Sequence, residues 1–435
     1  MKHLIFGALL LLLLAPALEA KFNWFDPAPL AGAYNLASHP EPTTESILAG
    51  QYQPQLEHYL EDHIGFRPWL IRLRNQISFS LLGVARSSEL VVGRDDVLYQ
   101  PGPVNSYLGK DFLGETQIRR RLRRMRIVQD DLAQRGIPFL FMMAPNKARY
   151  QPEDLPFQLR RQKQPQSNYE VFMREMQARH INVIDFGRLF EQWKATAQHP
   201  LFPKGGTHWS DYGSTLAADT LFKRIEQMGR FDLTDFHRGP VEVSQDARGT
   251  DGDLSGPLNL VFPYRHYPMG YPRIVFNSLH AGQVRPNLLV FGDSFGAELM
   301  QFHPFFQTLF SPDSRYWGVE ETIFTFSDNS TRTGENLNQL DFRQQIESRQ
   351  FIMILVTEHN LVAKNFIDRI YDLYHPLTQA ELARVNQLRD ELVSKGSWEE
   401  QSQSDFAYRM YQQALSVFDE ERESQLDQAE ASQSH

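Results

Sequence analysis

One stretch, Asn287 to Glu298, limits the choice of fold more than any other part of the chain. Leu288 to Phe291 is a short continuous apolar run, which is the pattern of a strand buried on both faces of a sheet. The run stops at Gly292-Asp293-Ser294 and leads into a helical pattern. We therefore predict a strand, a tight turn and a helix, with the Ser294 hydroxyl held beyond the end of the sheet.

Ser294 is a candidate nucleophile because of this position. The N-terminus of the following helix can stabilise negative charge that develops on a substrate. The backbone N–H groups of Ser294 and Phe295 are the expected donors. Gly292, Ser294 and Gly296 also spell the G-x-S-x-G of a nucleophile elbow. The alternative is an ordinary α/β turn in which the serine only caps the helix.

Apolar strands alternate with helical segments along the middle of the chain. The predicted strands are Ile137 to Met143, Ile181 to Asp185, Leu288 to Phe291, Thr322 to Phe326 and Phe351 to Val356. This alternation predicts an α/β fold with a parallel sheet flanked by helices. Active sites in such sheets lie beyond the carboxyl ends of the strands, where Asn146, Ser294 and Glu358 all fall.

A second segment carries a candidate general base. His208 lies in the glycine-flanked turn Lys204 to Gly213, directly before a helix for which Ser210 or Asp211 would be the N-cap. From such a turn a histidine can reach a nucleophile on another strand. The alternative is a histidine of the capping region that packs beside Trp209.

The N-terminus has the order of a secretory signal peptide. Lys2 and His3 precede an apolar run from Leu4 to Leu14, and small residues follow up to Ala20. The run is short for a membrane span, which needs about 20 apolar residues. We favour cleavage after Ala17 or Ala20 over an uncleaved anchor, and we predict a periplasmic protein.

Composition excludes several other classes of function. The net charge of −9 gives no electrostatic case for nucleic-acid binding. The basic run Arg119 to Arg124 is interpreted as the solvated face of a helix predicted over Glu115 to Gln134. The chain has no cysteine, and its 14 histidines show no paired-ligand spacing, so we predict neither a metal nor a cofactor.

The chain divides by composition into five segments. We predict a signal peptide or anchor at 1–20 and an extended lead-in at 21–55. The main α/β domain is expected at 56–375, with an insertion of loops and short strands at about 229–283. Two helices at 376–424 and a frayed polar tail at 425–435 complete the chain.

The two motifs together resemble a known family. Gly206-Thr207-His208-Trp209 followed by Gly292-Asp293-Ser294-Phe295 resembles the AlgJ and AlgX alginate O-acetylation proteins and their SGNH hydrolase-like relatives. In that family a D-x-H motif precedes the G-D-S nucleophile, an order that argues against nucleophile-elbow hydrolases. Looser matches extend the resemblance over Leu56 to Asp368. It implies an SGNH hydrolase-like fold with a permuted order of motifs.

The resemblance also implies a function and partners. Ser294 would carry an acetyl group, and His208 would deprotonate first Ser294 and then the hydroxyl of an acceptor sugar. Asn146 is a further candidate to assist the oxyanion, on the basis of its strand-end position and its amide chemistry and not of the resemblance. The acceptor would be a periplasmic exopolysaccharide, and a membrane-bound O-acyltransferase and the exopolysaccharide secretion machinery would be partners.

Two other functions remain open for the same residues. The protein could be a carbohydrate or lipid esterase, or a non-catalytic polysaccharide-binding or scaffold protein. The aromatic residues of the insertion, Phe262, Tyr264, Tyr267 and Tyr271, either stack on sugar rings or anchor loops.

One position departs from the family pattern. The aspartate of D-x-H should lie two residues before His208, where this chain has Gly206. A serine triad needs an acid to orient its histidine. Asp211 is the tentative substitute for this acid, and Glu358 is a second possibility. Otherwise the chain has only a weak Ser-His pair, or it has no catalytic activity.

Overall fold

The computed structural model describes residues 2–25, 28–32, 35–86, 90–319, 322–326, 335, 339–361, 366–395 and 405–433. Within these ranges the strands are β1 Val91–Val92, β2 Leu98–Tyr99, β3 Phe139–Ala144, β4 Val183–Asp185, β5 Phe236–Ser244, β6 Met269–Phe276, β7 Leu288–Gly292, β8 Arg315–Gly318, β9 Ile323–Thr325 and β10 Phe351–Thr357.

The centre of the fold is a six-stranded sheet with the order β4-β3-β10-β7-β8-β9. Five of its strands run parallel, and β9 pairs antiparallel at one edge. Every residue of β3 and β10 is buried, because helices cover both faces of the sheet. The predicted α/β fold with a parallel sheet is confirmed.

The described helices surround this sheet and extend the chain at both ends. They are α1 Lys2–Phe22, α2 Thr44–Leu48, α3 Tyr52–His63, α4 Arg67–Leu82, α5 Pro101–Tyr107, α6 Glu115–Gln134, α7 Lys147–Tyr150, α8 Phe157–Arg160, α9 Asn168–Ala178, α10 Phe186–Trp193, α11 Asp211–Gly229, α12 Ser294–Gln301, α13 Phe305–Leu309, α14 Phe342–Glu347, α15 Phe366–Tyr374, α16 Gln379–Lys395 and α17 Phe406–Gln433.

Two hydrophobic cores lie on opposite faces of the sheet. One contains α10 to α13 together with Trp209 and Phe295, next to the two motifs found in the sequence. The other is formed by α6, α9 and α15. Side chains alternate between the two faces along each strand of the six-stranded sheet, so each of its strands contributes to both cores.

The segment predicted as an insertion contains a two-stranded antiparallel ribbon, β5 with β6. Between these strands, a turn at Gly249–Gly252 packs onto the loop that carries His208. A Cβ atom at Gly206 would lie 2.4 Å from the Thr250 carbonyl oxygen. No side chain therefore fits at position 206 without movement of the insertion.

The C-terminal helix differs from its prediction. Helix α17 continues to Gln433, so most of the segment expected to be frayed is helical. Its acidic side chains pair with the basic run on α6: Arg120 with Glu420 and Asp427, Arg123 with Glu423 and Asp427, and Arg124 with Asp419 and Glu423. The basic run is thus an interface between helices and not a solvated face, because charge-assisted arginine–carboxylate hydrogen bonds hold α17 on it.

The N-terminal helix is longer than the apolar run suggested. Helix α1 includes an 18-residue apolar stretch, Ile5–Phe22, which by length and composition can cross a membrane. A signal peptide and an anchor both fit this stretch.

Candidate active site

Ser294 lies at the tight turn between β7 and α12. It is the first residue of α12, and its side chain is exposed. Asp293 is the N-cap, and its Oδ1 accepts the Phe295 N–H at 3.1 Å. Asp293 Oδ2 accepts hydrogen bonds from the Thr357 N–H and hydroxyl and from the Asn360 amide, each at 2.7 Å. The Asp293 carboxylate therefore fixes the serine turn to the end of β10.

Two glycines of the turn are explained by one buried tyrosine. The Tyr316 hydroxyl donates a hydrogen bond to the Asp293 carbonyl oxygen. A Cβ atom would lie 2.6 Å from the Tyr316 hydroxyl oxygen at Gly292 and 2.7 Å from it at Gly296. Both positions consequently require glycine because the tyrosine approaches the backbone closely. Tyr316 thus positions the serine turn through its contacts with the backbone. The sequence around Tyr316 does not indicate this role.

His208 joins Ser294 to a carboxylate. Its Nε2 lies 2.7 Å from Ser294 Oγ, and its Nδ1 lies 2.7 Å from Asp253 Oδ2. Asp253 follows the Gly249–Gly252 turn of the inserted segment, and its second oxygen accepts the Thr207 N–H at 3.0 Å. The histidine ring packs on the Phe295 ring with centroids 4.8 Å apart. Serine, histidine and aspartate thus stand in the order of a serine triad.

Asp211, the tentative acid, lies elsewhere. Its Oδ1 is 2.6 Å from His303 Nε2, and Ser210 is the N-cap of α11. The assignment of Asp211 as the partner of His208 is wrong, because Asp253 holds the Nδ1 side of that ring. One weak signal in the sequence could have indicated Asp253, because it is the second aspartate of the glycine-rich run Gly249 to Gly256.

The expected oxyanion donors are largely engaged with protein groups. The Phe295 N–H is bonded to Asp293. Asn146 donates to the Pro103 carbonyl at 2.8 Å and to the Glu358 carboxylate. Glu358 is buried and pairs with Arg149 at 2.8 Å. Asn146 and Glu358 therefore form a structural cluster at the neighbouring strand ends. The Ser294 N–H, at the first position of α12, has no partner within the helix and remains the candidate donor.

A second carboxyl group, which the sequence did not indicate, lies beside His208. Glu298 Oε1 is 3.1 Å from His208 Nδ1, and the glutamate side chain is only 5% exposed. Burial raises the pKa of Glu298 well above its usual range, and the nearby carboxylates of Asp253 and Asp251 add to this. Burial thus disfavours the charged form of Glu298, which packs against the Asp253–His208 pair.

A buried lysine holds the loop of His208. The Lys147 ammonium donates to the carbonyl oxygens of Leu98 at 2.8 Å, Lys204 at 3.0 Å and Gly206 at 2.7 Å. Burial lowers the pKa of Lys147 to about 7, while three carbonyl acceptors favour its charged form. The lysine thereby connects β2, the start of α7 and the residues just before His208.

Metal ligation is not a feature of the parts of the chain that the structure describes. Within them, no group of three or more His, Cys, Asp or Glu side chains is arranged to hold an ion. The chemistry that the site can perform with its own groups is attack by the Ser294 oxygen with proton transfer to His208.

A parallel sheet with a Gly-Asp-Ser turn at a strand end and a histidine loop facing it defines an SGNH hydrolase-like domain. The chain belongs to the family described as the SGNH hydrolase-like domain of the acetyltransferase AlgX, whose family model matches residues 90–313, about half of the chain. Acyl transfer is thus the general chemistry of its family, as the resemblance had implied. No curated protein matched the sequence.

Several solved structures are similar to the chain, among them the following three. The O-acetyltransferase domain of Pseudomonas putida AlgJ is 19% identical, with a TM-score of 0.43, over 65% of this chain and 99% of that one. Pseudomonas aeruginosa AlgX is 14% identical, with a TM-score of 0.42, over 65% of this chain and 67% of that one. Bacillus cereus PatB1 is 13% identical, with a TM-score of 0.34, over 58% of this chain and 93% of that one.

Proposed function

We propose that the protein is an O-acetyltransferase that acetylates hydroxyl groups of an exopolysaccharide, an alginate-like polymer, through an acetyl-enzyme on Ser294. Family membership supports acyl transfer. The observation that carries the mechanism is the continuous row from Asp253 through His208 to Ser294, with both contacts of the histidine at 2.7 Å.

The first half of the reaction loads the enzyme. His208 Nε2 accepts the Ser294 hydroxyl proton as Oγ bonds to the acetyl carbonyl carbon of the donor. The negative charge on the carbonyl oxygen is stabilised at the N-terminus of α12, with the Ser294 N–H as donor. The tetrahedral intermediate then expels the donor's leaving group, which takes the proton from His208, and an acetyl ester remains on Ser294.

The second half transfers the acetyl group. A sugar hydroxyl gives its proton to His208 Nε2 as its oxygen attacks the acetyl carbonyl carbon. When the bond to Ser294 Oγ breaks, the proton returns from His208 to the serine oxygen. Throughout, Asp253 keeps the Nδ1–H of His208 oriented and stabilises the imidazolium. Each half therefore leaves the triad in the protonation state in which it started.

The setting of this reaction is also part of the proposal. Helix α1, as signal peptide or anchor, supports a location in the periplasm. A polysaccharide acceptor fits the family, and a membrane-bound O-acyltransferase that delivers acetyl groups and the exopolysaccharide secretion machinery are the proposed partners.

A carbohydrate esterase is the second candidate function. The Ser294 side chain is exposed, so water can reach an acetyl group on it and replace the sugar hydroxyl in the second half. The scaffold alternative rested on the glycine at position 206, and Asp253 removes that support by supplying the carboxylate.

The test is hydrolysis of an activated acetyl ester by the purified chain, with intact mass spectrometry for an acetyl adduct. Ser294→Ala should abolish both the activity and the adduct, and His208→Ala should lower the rate at least a thousandfold. Ser394→Ala and His237→Ala, at exposed positions away from the site, are matched controls and should behave like the wild type.

An acidic oligosaccharide acceptor then distinguishes the two reactions. A transferase produces acetylated oligosaccharide and loses its adduct faster when acceptor is added. An esterase releases acetate at the same rate with and without acceptor. Background rates in all variants, with no adduct in the wild type, would refute both enzymatic functions.

A further inference from the structure

Helix α4 presents a row of large apolar side chains to solvent. Trp69, Leu70, Leu73, Ile77 and Leu81 are each between 49% and 76% exposed. Trp69 and Leu70 are adjacent and the other three follow at intervals of three or four residues, so all five lie along one face of the helix. Isolated exposed apolar residues are common on protein surfaces, but a continuous stripe of this length marks an interaction surface.

The opposite face of α4 is firmly packed, so the exposure of the stripe is a property of the fold. Asn75, Ser78 and Phe79 are buried. The Asn75 amide donates to the Leu258 carbonyl oxygen at 2.9 Å, and the Phe79 ring lies 6.2 Å from that of Tyr264. Rotation of α4 to hide its apolar stripe would break these contacts.

The beginning of α4 is joined to the end of α1. The Gly65 N–H donates to the Pro16 carbonyl oxygen and the Phe66 N–H to Glu19 Oε2, both at 3.2 Å. The rings of Phe25 and Phe66 lie 5.8 Å apart. The helix with the membrane-spanning composition therefore ends directly beside the exposed stripe.

The position of this junction corresponds to the surface of a bilayer. Pro16 lies in the apolar stretch Ile5–Phe22, about 9 Å before its end at 1.5 Å per helical residue. Amphipathic helices lie about 5–10 Å deep at the boundary of headgroups and acyl chains. Trp24 and Phe25, exposed by 60% and 58%, follow the span, where aromatic residues anchor membrane proteins.

We propose that α1 is retained on the mature chain as an anchor and that α4 is a membrane-contact helix, whose apolar stripe inserts into the interfacial layer of the bilayer that α1 enters. The partner is the lipid surface itself. Arg74, exposed on the same helix, contributes attraction to anionic headgroups. The α/β domain is then held against the membrane at two places, the end of α1 and the length of α4.

A single-cysteine label tests the insertion. The chain has no cysteine, so Ile77→Cys can be labelled uniquely with an environment-sensitive fluorophore. The matched control is Val243→Cys on β5, at a side chain that is 54% exposed. Each full chain is reconstituted in vesicles of phosphatidylethanolamine and phosphatidylglycerol with nitroxide-bearing lipid. We expect a blue-shifted emission at position 77 and at least threefold stronger quenching there than at position 243.

Addition of Leu73→Glu to the labelled Ile77→Cys chain separates insertion from simple anchoring. The chain should still sediment with the vesicles through α1, while the quenching at position 77 should fall towards the control value. Water-like emission at position 77 would overturn the proposal, as would quenching that Leu73→Glu leaves unchanged. A shielded label without quenching by lipid nitroxides would show a protein contact on the stripe and would also overturn it.

Discussion

Two carboxyl groups lie within 3.1 Å of the same nitrogen of His208, and replacing each one separately tests which of them serves the histidine. Asp253 Oδ2 is at 2.7 Å and Glu298 Oε1 at 3.1 Å from Nδ1. The pKa of Glu298 is raised well above its usual range by burial, whereas Asp253 is partly exposed, with 24% of its side chain accessible. We therefore expect Asp253, which lies nearer to Nδ1 and is open to solvent, to orient the histidine, and Glu298 to contribute little.

The expected magnitudes follow from this assignment. Asp253→Asn replaces the carboxylate by an amide, which can turn an N–H towards Nδ1 of His208. This favours the His208 tautomer that carries its proton on Nε2, and that tautomer cannot accept the Ser294 proton. The equivalent change costs about 10⁴ in a trypsin-type triad. Because Asp253 is partly exposed, we expect a smaller loss, about 10³-fold in kcat or about 4 kcal/mol in the barrier. Glu298→Gln keeps the shape of a side chain whose charged form burial disfavours, and it should change kcat by less than about threefold.

The assay is steady-state hydrolysis of an activated acetyl ester near neutral pH, with the acetyl adduct followed by mass spectrometry. Asp211→Asn is the matched control, since Asp211 pairs with His303 and not with His208, and it should retain near wild-type kcat. A circular dichroism melt of each variant separates lost chemistry from lost structure.

The reverse pattern would refute the reasoning. If Glu298→Gln lost 10³-fold in kcat and Asp253→Asn lost little, Glu298 would be the acid that serves His208. If both variants kept wild-type rates, the carboxylates would only pack against His208, and the pair of His208 with Ser294 would account for any activity.

Three further predictions concern the groups that support the site. Burial raises the pKa of Asp251 from 3.8 to about 6, so the folded chain binds this proton more tightly than the unfolded chain, and the resulting loss of stability develops as pH rises from about 4 to about 6. Asp251→Asn should therefore raise the free energy of unfolding by up to about 3 kcal/mol at pH 7 and by little at pH 4, measured by urea titration; equal gains at both pH values would contradict this origin. Lys147→Met should lower the free energy of unfolding by about 2–4 kcal/mol and should also lower kcat, because three buried carbonyl oxygens lose their donor beside the His208 loop. An unchanged free energy of unfolding together with an unchanged kcat would show that the loop is held by other contacts. In the buried pair of Arg123 and Glu423, at 2.5 Å, each single change to alanine should destabilise the chain by about 3 kcal/mol and the double change by less than their sum, in a thermal or urea double-mutant cycle; strict additivity would mean that the pair does not couple α6 to α17.

The parts of the fold that the sequence predicted best depend on local patterns. The strand, turn and helix around Ser294 are encoded by neighbouring residues, and α6 has the bounds that its periodicity indicated. The expected contact between His208 and Ser294 depended on a different signal, the glycine-flanked turn before a helix from which a histidine can reach a nucleophile. The structure has this contact, with Nε2 of His208 2.7 Å from Oγ of Ser294.

The parts that it missed depend on contacts between distant segments. Helix α17 carries many acidic and polar residues, so its sequence predicts a frayed end, and only the arginines of α6 show why its last turns are ordered. Glu298 is hydrophilic in the sequence but faces the interior of the site. The N-cap of α12 is Asp293 and not Ser294, so the Phe295 N–H that was expected to face the oxyanion is engaged by the Asp293 carboxylate.

One structural feature, the turn of the inserted segment beside the His208 loop, explains both the glycine at position 206 and the contact of Asp253 with His208. A Cβ atom at Gly206 would lie 2.4 Å from the Thr250 carbonyl oxygen and 3.0 Å from that of Asp251, so the turn of the inserted segment occupies the space that a side chain at 206 would need. The same close approach places Asp253 on His208, and the Thr207 N–H holds its second oxygen at 3.0 Å. The carboxylate on the Nδ1 side of the ring therefore comes from the insertion and not from the histidine loop. Loss of the motif in the sequence is therefore compatible with a complete Ser-His-Asp arrangement in space.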